Sequence, residues 1–300
     1  MENLYNWNDI KNEIADWTPK EGEFTDVYDE EEIKRDKNRI LGVKVRLGIK
    51  NGELGVSDSK IQEYAVSQEI GEMDWFHEDL RTAELFPKNN GERSFTVLSS
   101  EFDDFVNHTD AVCVIRNAYS DFRPVPFALD MTYNTDWDGL DKKFGWKHPK
   151  LKVPGFATIK YYEDNMSPEE PPIGKGRISA LPRFVIGFDP ELSNEITEAR
   201  MTTTGWNSAK REELSTKAKW CVLRELKRQA EQMLAFLEEH KDERDYQELY
   251  QNVSALNKYF DGAIKTASEV DKEHQDWISY PNRDEVFGAI YMRNIAPSNA

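Results

Sequence analysis

The chain has 300 residues, a formal net charge of -17, and 12% aromatic side chains. So many large apolar groups exclude a disordered tail, and this length suffices for one elaborated core or two modest ones. Met1 to Lys20 lacks the basic end and apolar stretch of a signal peptide, and no segment approaches the roughly 18 apolar residues of a spanning helix, so a cytoplasmic protein without a membrane segment is expected.

In chain order, the acidic run Asp26 to Glu32 reads as a solvated loop or helix start. Ile40 to Ile49 sets Leu41, Val43, Val45 and Leu47 against Lys44 and Arg46, the period-two pattern of a half-buried strand, and Asn51-Gly52 supplies a turn. Ser59 with Gln62 has the form of a capping box that opens a helix through Ile61, Tyr64, Ala65 and Gln68. A short helix is expected over Trp75 to Phe86, ahead of Pro87. Strands follow at Phe95 to Leu98, Ala111 to Ile115, Pro126 to Thr132, Phe156 to Tyr162 and Arg183 to Phe188, all rich in β-branched and aromatic residues.

Asp189-Pro190 then forms a cap and first-turn pair. Leu214, Ala218, Val222, Leu226, Ala230, Met233 and Leu237 recur every three or four residues, as do Tyr246, Leu249, Val253, Leu256, Phe260, Ala263 and Ala267. Two long helices joined across His240 to Asp245 predict an antiparallel hairpin. The fold class is thus α/β, in the α+β sense: a central mixed sheet with flanking helices, followed by a C-terminal helical hairpin. Three stretches are expected: an acidic segment with a strand hairpin (1–58), an α/β core (59–190), and the helical hairpin with its tail (191–300).

The acidity is uneven. Residues 1–110 hold 26 acids against 13 bases, whereas residues 111–300 hold 30 against 26, so a polyanion is not excluded from the rest of the chain. Cys113 and Cys221 lie inside apolar stretches without a CxxC neighbour and read as buried thiols in a reducing compartment. The five histidines show no HExxH spacing, and no GxSxG, Walker loop or GxGxxG occurs, which disfavours hydrolase triads and nucleotide-binding folds.

Chemistry concentrates between Glu101 and Lys160. Asp103, Asp104 and Asp110 precede the apolar strand Ala111 to Ile115, and Asp130 ends the apolar run of the next. Neighbouring strands would bring Asp110 and Asp130 to one sheet edge, where paired carboxylates can hold Mg²⁺. Ordinary turn and cap roles for the same aspartates remain the alternative.

Thr109-Asp110 and Asp130-Met131-Thr132 resemble the Pro-Asp and (D/E)xK elements of the PD-(D/E)xK nuclease superfamily over about residues 61–162. The resemblance implies a core of helix, strand hairpin with an Asp, third strand with an acid, then a helix and a further strand. It also implies metal-dependent hydrolysis of DNA phosphodiesters, with Mg or Mn held by Asp110 and Asp130. Asp103, Asp104 or Glu84 would complete the metal shell. Thr132 stands where the family has lysine; Lys142 or Lys143 on the following helix would take that role, with Lys160 a weaker substitute and His108 close enough to assist.

From Asp141 to Lys160 six lysines face a single acid. Lys147, Lys150 and Lys152 with Trp146 suit backbone contact plus base stacking, as a nucleic-acid interface does. Lys175, Arg177 and Arg183, and the basic positions 210, 211, 217, 219, 224, 227 and 228, would extend that track, or simply balance the acidic first third. The competing class is a non-enzymatic interaction protein that docks a protein partner through residues 207–270 or uses its acidic N-terminal surface.

Overall fold

In the computed structural model the described residues are 11–12, 14–15, 18–46, 58–72, 95–115, 125–133, 137–145, 155–163, 175–201, 208–240 and 243–291. Helix α1 (Glu30–Arg46) occupies the region read as a strand. Its buried positions are Ile33, Asp36, Ile40 and Lys44, at helical spacing, while Leu41 and Val45 are exposed. The alternating Leu41, Val43 and Val45 therefore do not mark the buried face, which is the three-and-four series that begins at Ile33. Glu30 to Glu32 and Lys44 with Arg46 also complement the helix dipole at its two ends.

Helix α2 (Asp58–Glu72) covers the expected helix but starts at Asp58, so Ser59 lies inside it rather than at its cap; it buries Ile61, Tyr64, Ala65, Val66 and Ile70. The expected turn at Asn51-Gly52, the part of the expected strand beyond Arg46 and the helix over Trp75 to Phe86 lie outside the described residues.

Among the described residues five strands form one mixed sheet in the order β1-β2-β3-β5-β4. They are β1 (Phe95–Leu98), β2 (Ala111–Ile115), β3 (Val125–Thr132), β4 (Phe156–Glu163) and β5 (Lys175–Gly187). All pairs are antiparallel except β3 with β5, which run parallel with Asp130 beside Val185. A parallel pair needs a crossover, and α4 (Trp137–Gly145) followed by β4 supplies it.

Between β1 and β2 the chain makes α3 (Glu101–Asn107), a helix the sequence reading did not anticipate. Ser100 caps it by accepting from the Asp103 N–H at 3.2 Å, and His108 ends it with a left-handed backbone, φ 54°.

α5 (Pro190–Met201) starts as expected, with Asp189 Oδ1 accepting from the Leu192 N–H at 2.8 Å. α6 (Ser208–Glu238) and α7 (Arg244–Val270) form the hairpin, and every member of both stripes is buried except half-buried Tyr246. Short helices α8 (Gln275–Ile278) and α9 (Glu285–Tyr291) follow. The hairpin stripes share one apolar cluster with Phe127, Leu129, Met131, Phe184 and Ile186 of the sheet, and with Leu140 and Phe144 of α4. Phe127, Phe184 and Phe260 meet edge to face at centroid distances of 5.3–6.1 Å.

β4 runs alongside β5 only as far as the Phe156–Pro182 pair. Beyond it, α6 reaches the strand with side chains. Gln229 accepts from the Val185 N–H at 2.9 Å and donates to its carbonyl at 2.6 Å, and Glu225, one turn earlier, accepts from the Gly187 N–H at 3.1 Å. Gly187 pairs with Thr132 so closely that an added Cβ would overlap the Thr132 carbonyl oxygen.

The N-terminal elements dock on the opposite side of α3. Lys160 of β4 pairs with Glu32 and Asp36 of α1 and lies 4.8–5.5 Å from the ring centroids of Tyr28, Phe102 and Tyr161. Among the described residues no helix is long and apolar enough to cross a membrane. Cys113 and Cys221 are buried and free, and burial pushes the Cys113 thiol up to about 12.

Candidate functional site

The ladder between β2 and β3 sets Ala111 opposite Leu129. Continued by one residue, the same register sets Asp110 opposite Asp130, and side chains directly opposite in an antiparallel pair share a face. The hydrogen bonds shift by one residue at this point: the Asp110 N–H donates to the Leu129 carbonyl at 2.8 Å rather than to Asp130, and the Met131 N–H donates to Asp110 Oδ2 at 2.6 Å. Asp110 is therefore fixed at the end of the sheet by main-chain bonds on its own strand's neighbour.

Around it, α3 contributes Asp104 and α2 contributes Glu63. One carboxylate oxygen from each of Glu63, Asp104 and Asp110 lies within 4.8 Å of the others. The Lys60 ammonium sits beside two of them, 2.9 Å from Asp104 Oδ2 and 3.1 Å from Glu63 Oε2. The second contact lacks hydrogen-bond geometry, so Glu63 Oε2 is buried without a hydrogen bond.

Asp130 is held differently. Lys143 of α4 donates to its Oδ1 and Arg183 of β5 donates to its Oδ2. Lys143 also donates to the Met131 carbonyl at 2.9 Å, while Arg183 donates to the His108 carbonyl at 3.0 Å and the Lys143 carbonyl at 2.9 Å. Arg183 and Asp130 are both 2% exposed. One buried guanidinium thus ties together the end of α3, the end of α4 and the third strand.

The electrostatics follow from this crowding. Burial, and then the like charges of Glu63, Asp130 and Asp104, push the Asp110 carboxyl well above the usual carboxylate range against the pull of Lys143. Burial raises Glu63 as well, opposed by Lys60. For Lys60 burial works against the charge, but Asp104, Glu63 and Asp110 outweigh it and raise the ammonium. Lys143 behaves likewise, with Asp130 and Asp110 overcoming burial. His108, at the rim, is lowered by desolvation and by the Arg183 charge. Among the described residues four carboxylates and three cations share this end of the sheet, and the surplus negative charge of that set sits on the Glu63, Asp104 and Asp110 side.

Of the residues singled out from sequence, the structure brings together Asp104, Asp110, Asp130 and Lys143. Lys142 is exposed on α4. Asp103 turns away: its carboxylate accepts from the Lys160 and Tyr161 N–H groups at 2.8 and 2.9 Å and joins α3 to β4. Lys160 is spent on α1. Glu84, Trp146, Lys147, Lys150 and Lys152 lie outside the described residues.

The α6 part of the expected basic track is largely neutralised. Lys210 and Lys217 pair with Glu213, Lys219 with Asp271, and Lys227 with Asp261. A cavity of about 400 Å³ lined by Arg224, Lys227, Arg228 and Phe287 belongs to α6, α7 and α9 and includes no member of the carboxylate cluster.

Glu63 and Arg183 are the participants that sequence reasoning missed in these roles. Glu63 had a signal: it sits in a helix whose neighbours Ile61, Tyr64, Ala65, Val66 and Ser67 are all buried, so an acid there has little solvent to face.

No protein-family model, curated protein or solved structure matches the chain.

Proposed function

We propose that the protein is a metal-dependent nuclease that hydrolyses DNA phosphodiesters. The observation that carries this reading is the convergence of Glu63, Asp104 and Asp110 within 4.8 Å at the sheet end. The order of elements supports it: α2, the hairpin β1-β2 with Asp110 at its second strand, β3 with Asp130, then α4 with Lys143 and a further strand β5 parallel to β3. The PD-(D/E)xK resemblance implies that order without α3, which here separates β1 from β2, and without β4, which here separates α4 from β5.

The donor set suits a hard divalent cation such as Mg²⁺ or Mn²⁺, since it consists of carboxylate oxygens only, with Glu63 Oε2 met by the Lys60 ammonium at 3.1 Å. Asp110, Asp104 and Glu63 would hold the ion. Asp130 has both oxygens occupied by Lys143 and Arg183 and acts on this reading by positioning those cations. When bound, the ion would supply Lewis-acid stabilisation of the charge that develops on a phosphate oxygen.

Thr132 has no cation to offer, and Lys143 fills the need from α4. Its ammonium, 2.9 Å from the Met131 carbonyl, lies beside the strand that carries the acid, where it offsets phosphate charge and orients an attacking water. Arg183 keeps it there by gripping the Lys143 carbonyl and Asp130 together. Partner docking through residues 207–270 would have to use polar faces, because the apolar stripes of α6 and α7 are inside the core.

The test is cleavage of plasmid and of single-stranded DNA by purified protein with Mg²⁺, with Mn²⁺ and with EDTA. Asp110→Asn and Lys143→Ala should each lower cleavage by about 10²-fold or more, as loss of a transition-state electrostatic partner does. Absence of metal-dependent cleavage by the wild type, or its survival in Asp110→Asn, refutes the assignment.

A further inference from the structure

A divalent cation bound by carboxylates sits about 2.0–2.6 Å from each oxygen. The nitrogen of Lys60 already lies 2.9 Å from Asp104 Oδ2 and 3.1 Å from Glu63 Oε2. The two cations would compete for the same oxygens at the same place, and at that separation their mutual repulsion forbids both. Lys60 precedes Glu63 by three residues on α2, so the ammonium is a tethered ligand whose local concentration is set by its own stem. That four-carbon stem can also swing the charge away without moving the helix.

We infer that Lys60 is a built-in competitor of the metal: its ammonium holds the cation position between Asp104 and Glu63 until a divalent ion displaces it, and so sets the concentration at which the site loads. This rests on the metal reading of the cluster given above. In the metal-free protein Lys60 offsets the repulsion between Glu63, Asp104 and Asp110. On loading, a single positive charge is exchanged for a double one, and the lysine side chain is released toward solvent. The device makes the cluster stable without metal, at the expense of affinity for it.

Two measurements test the inference. The first is calorimetric titration of the full chain with Mn²⁺ alone and with Mg²⁺ alone, comparing wild type, Lys60→Gln and Lys60→Arg. Removing the competing charge should tighten binding about tenfold, the equivalent of one charge-assisted hydrogen bond, and Lys60→Gln should melt lower than wild type in EDTA. Lys60→Arg, which keeps a cation, should bind as wild type does. The second uses the wild type only: reductive methylation read by mass spectrometry should label Lys60 slowly in EDTA and faster with saturating Mg²⁺.

Unchanged or weaker binding in Lys60→Gln, or a Lys60 that stays protected in the loaded protein, overturns the inference while leaving the metal site in place. Failure of every version, wild type included, to bind either ion is a different result. It removes the metal reading of the cluster, and this inference with it.

Discussion

Replacing Glu225 with Gln should stabilise the protein at alkaline pH and not at acid pH. Glu225 is 1% exposed; its Oε2 accepts from the Gly187 N–H at 3.1 Å, and its Oε1 is buried without a hydrogen bond. Burial pushes this carboxyl well above the usual range, with the Gly187 bond opposing and the like charge of Asp284 adding to it. A carboxyl whose folded value is raised binds its proton more tightly in the folded state. Its contribution to stability is full below the unfolded value of about 4.3 and is lost as pH rises through the folded value.

Across that window one proton taken up on folding costs about 1.4 kcal/mol per pH unit. Gln keeps the acceptor for Gly187 and cannot ionise. Its amide nitrogen replaces the unbonded Oε1, a loss of about 1 kcal/mol that applies at every pH. The difference between variant and wild type should therefore begin slightly negative near pH 5, cross zero, and climb by about 1.4 kcal/mol per unit until the folded value of Glu225 is passed. Urea denaturation at intervals from pH 5 to pH 8, with the slope on denaturant held common, measures it. Asp284, which burial pushes up to about 6, slopes the same way in both proteins and cancels in the difference. Parallel stability curves for the two proteins would show that Glu225 is not the buried acid the geometry describes.

Asp130→Ala should destabilise by about 3–5 kcal/mol in urea, because it leaves the buried Arg183 guanidinium without its carboxylate; a loss under 1 kcal/mol would mean that the pair is solvated. Gly187→Ala should give an insoluble or unfolded protein, since its Cβ would overlap the Thr132 carbonyl oxygen and lie 2.9 Å from Val286 Cγ1. A melting temperature within a few degrees of wild type would contradict the close approach of β3 and β5. Leu226→Asp should likewise abolish the cooperative melt, because Leu226 is fully buried in the α6 stripe; unchanged circular dichroism on heating would place that stripe at the surface.

Strands β1 and β2 have the bounds the sequence suggested, because Phe95 to Leu98 and Ala111 to Ile115 are short apolar runs between turn residues. β5 starts eight residues earlier than Arg183. Its first half alternates exposed Lys175, Arg177 and Ser179 with more buried positions, and it carries Gly176 at φ 109° and Ala180 at φ 59°. No apolar run marks such a stretch. α1 resembles a strand when only Ile40 to Ile49 is considered, since its buried series starts at Ile33, and α3, seven residues with three acids, resembles a loop until the Ser100 cap is counted.

At the site, Asp110 was legible because the apolar run Ala111 to Ile115 fixes the strand end beside it, and Lys143 through the helix that the resemblance implies; Asp104 lies inside α3, whose helix the pattern does not reveal. The partners of Asp130 were not, since Arg183 reaches it only through the parallel pairing of β3 with β5, across 53 residues of chain. Local spacing carries no record of that kind of contact. Glu63 was readable in principle from its buried helix, but nothing local said which acids it would meet.

The way α6 closes the far side of β5 bears on how the protein behaves in a crowded solution. A strand with bare amides and carbonyls is a template on which another chain can lay its own strand, the first step of domain swapping and fibril growth. Residues 183–187 lie past the end of β4, yet Gln229 consumes both polar groups of Val185, Glu225 takes the amide of Gly187, and the Arg183 N–H donates to the Gly155 carbonyl at 2.8 Å. A helix thus does the blocking that charged or proline-bearing rims do elsewhere. Because the block consists of two side chains one turn apart, a Gln229→Ala, Glu225→Ala double variant would reopen a docking strip inside an otherwise intact fold, and self-association on storage would report it.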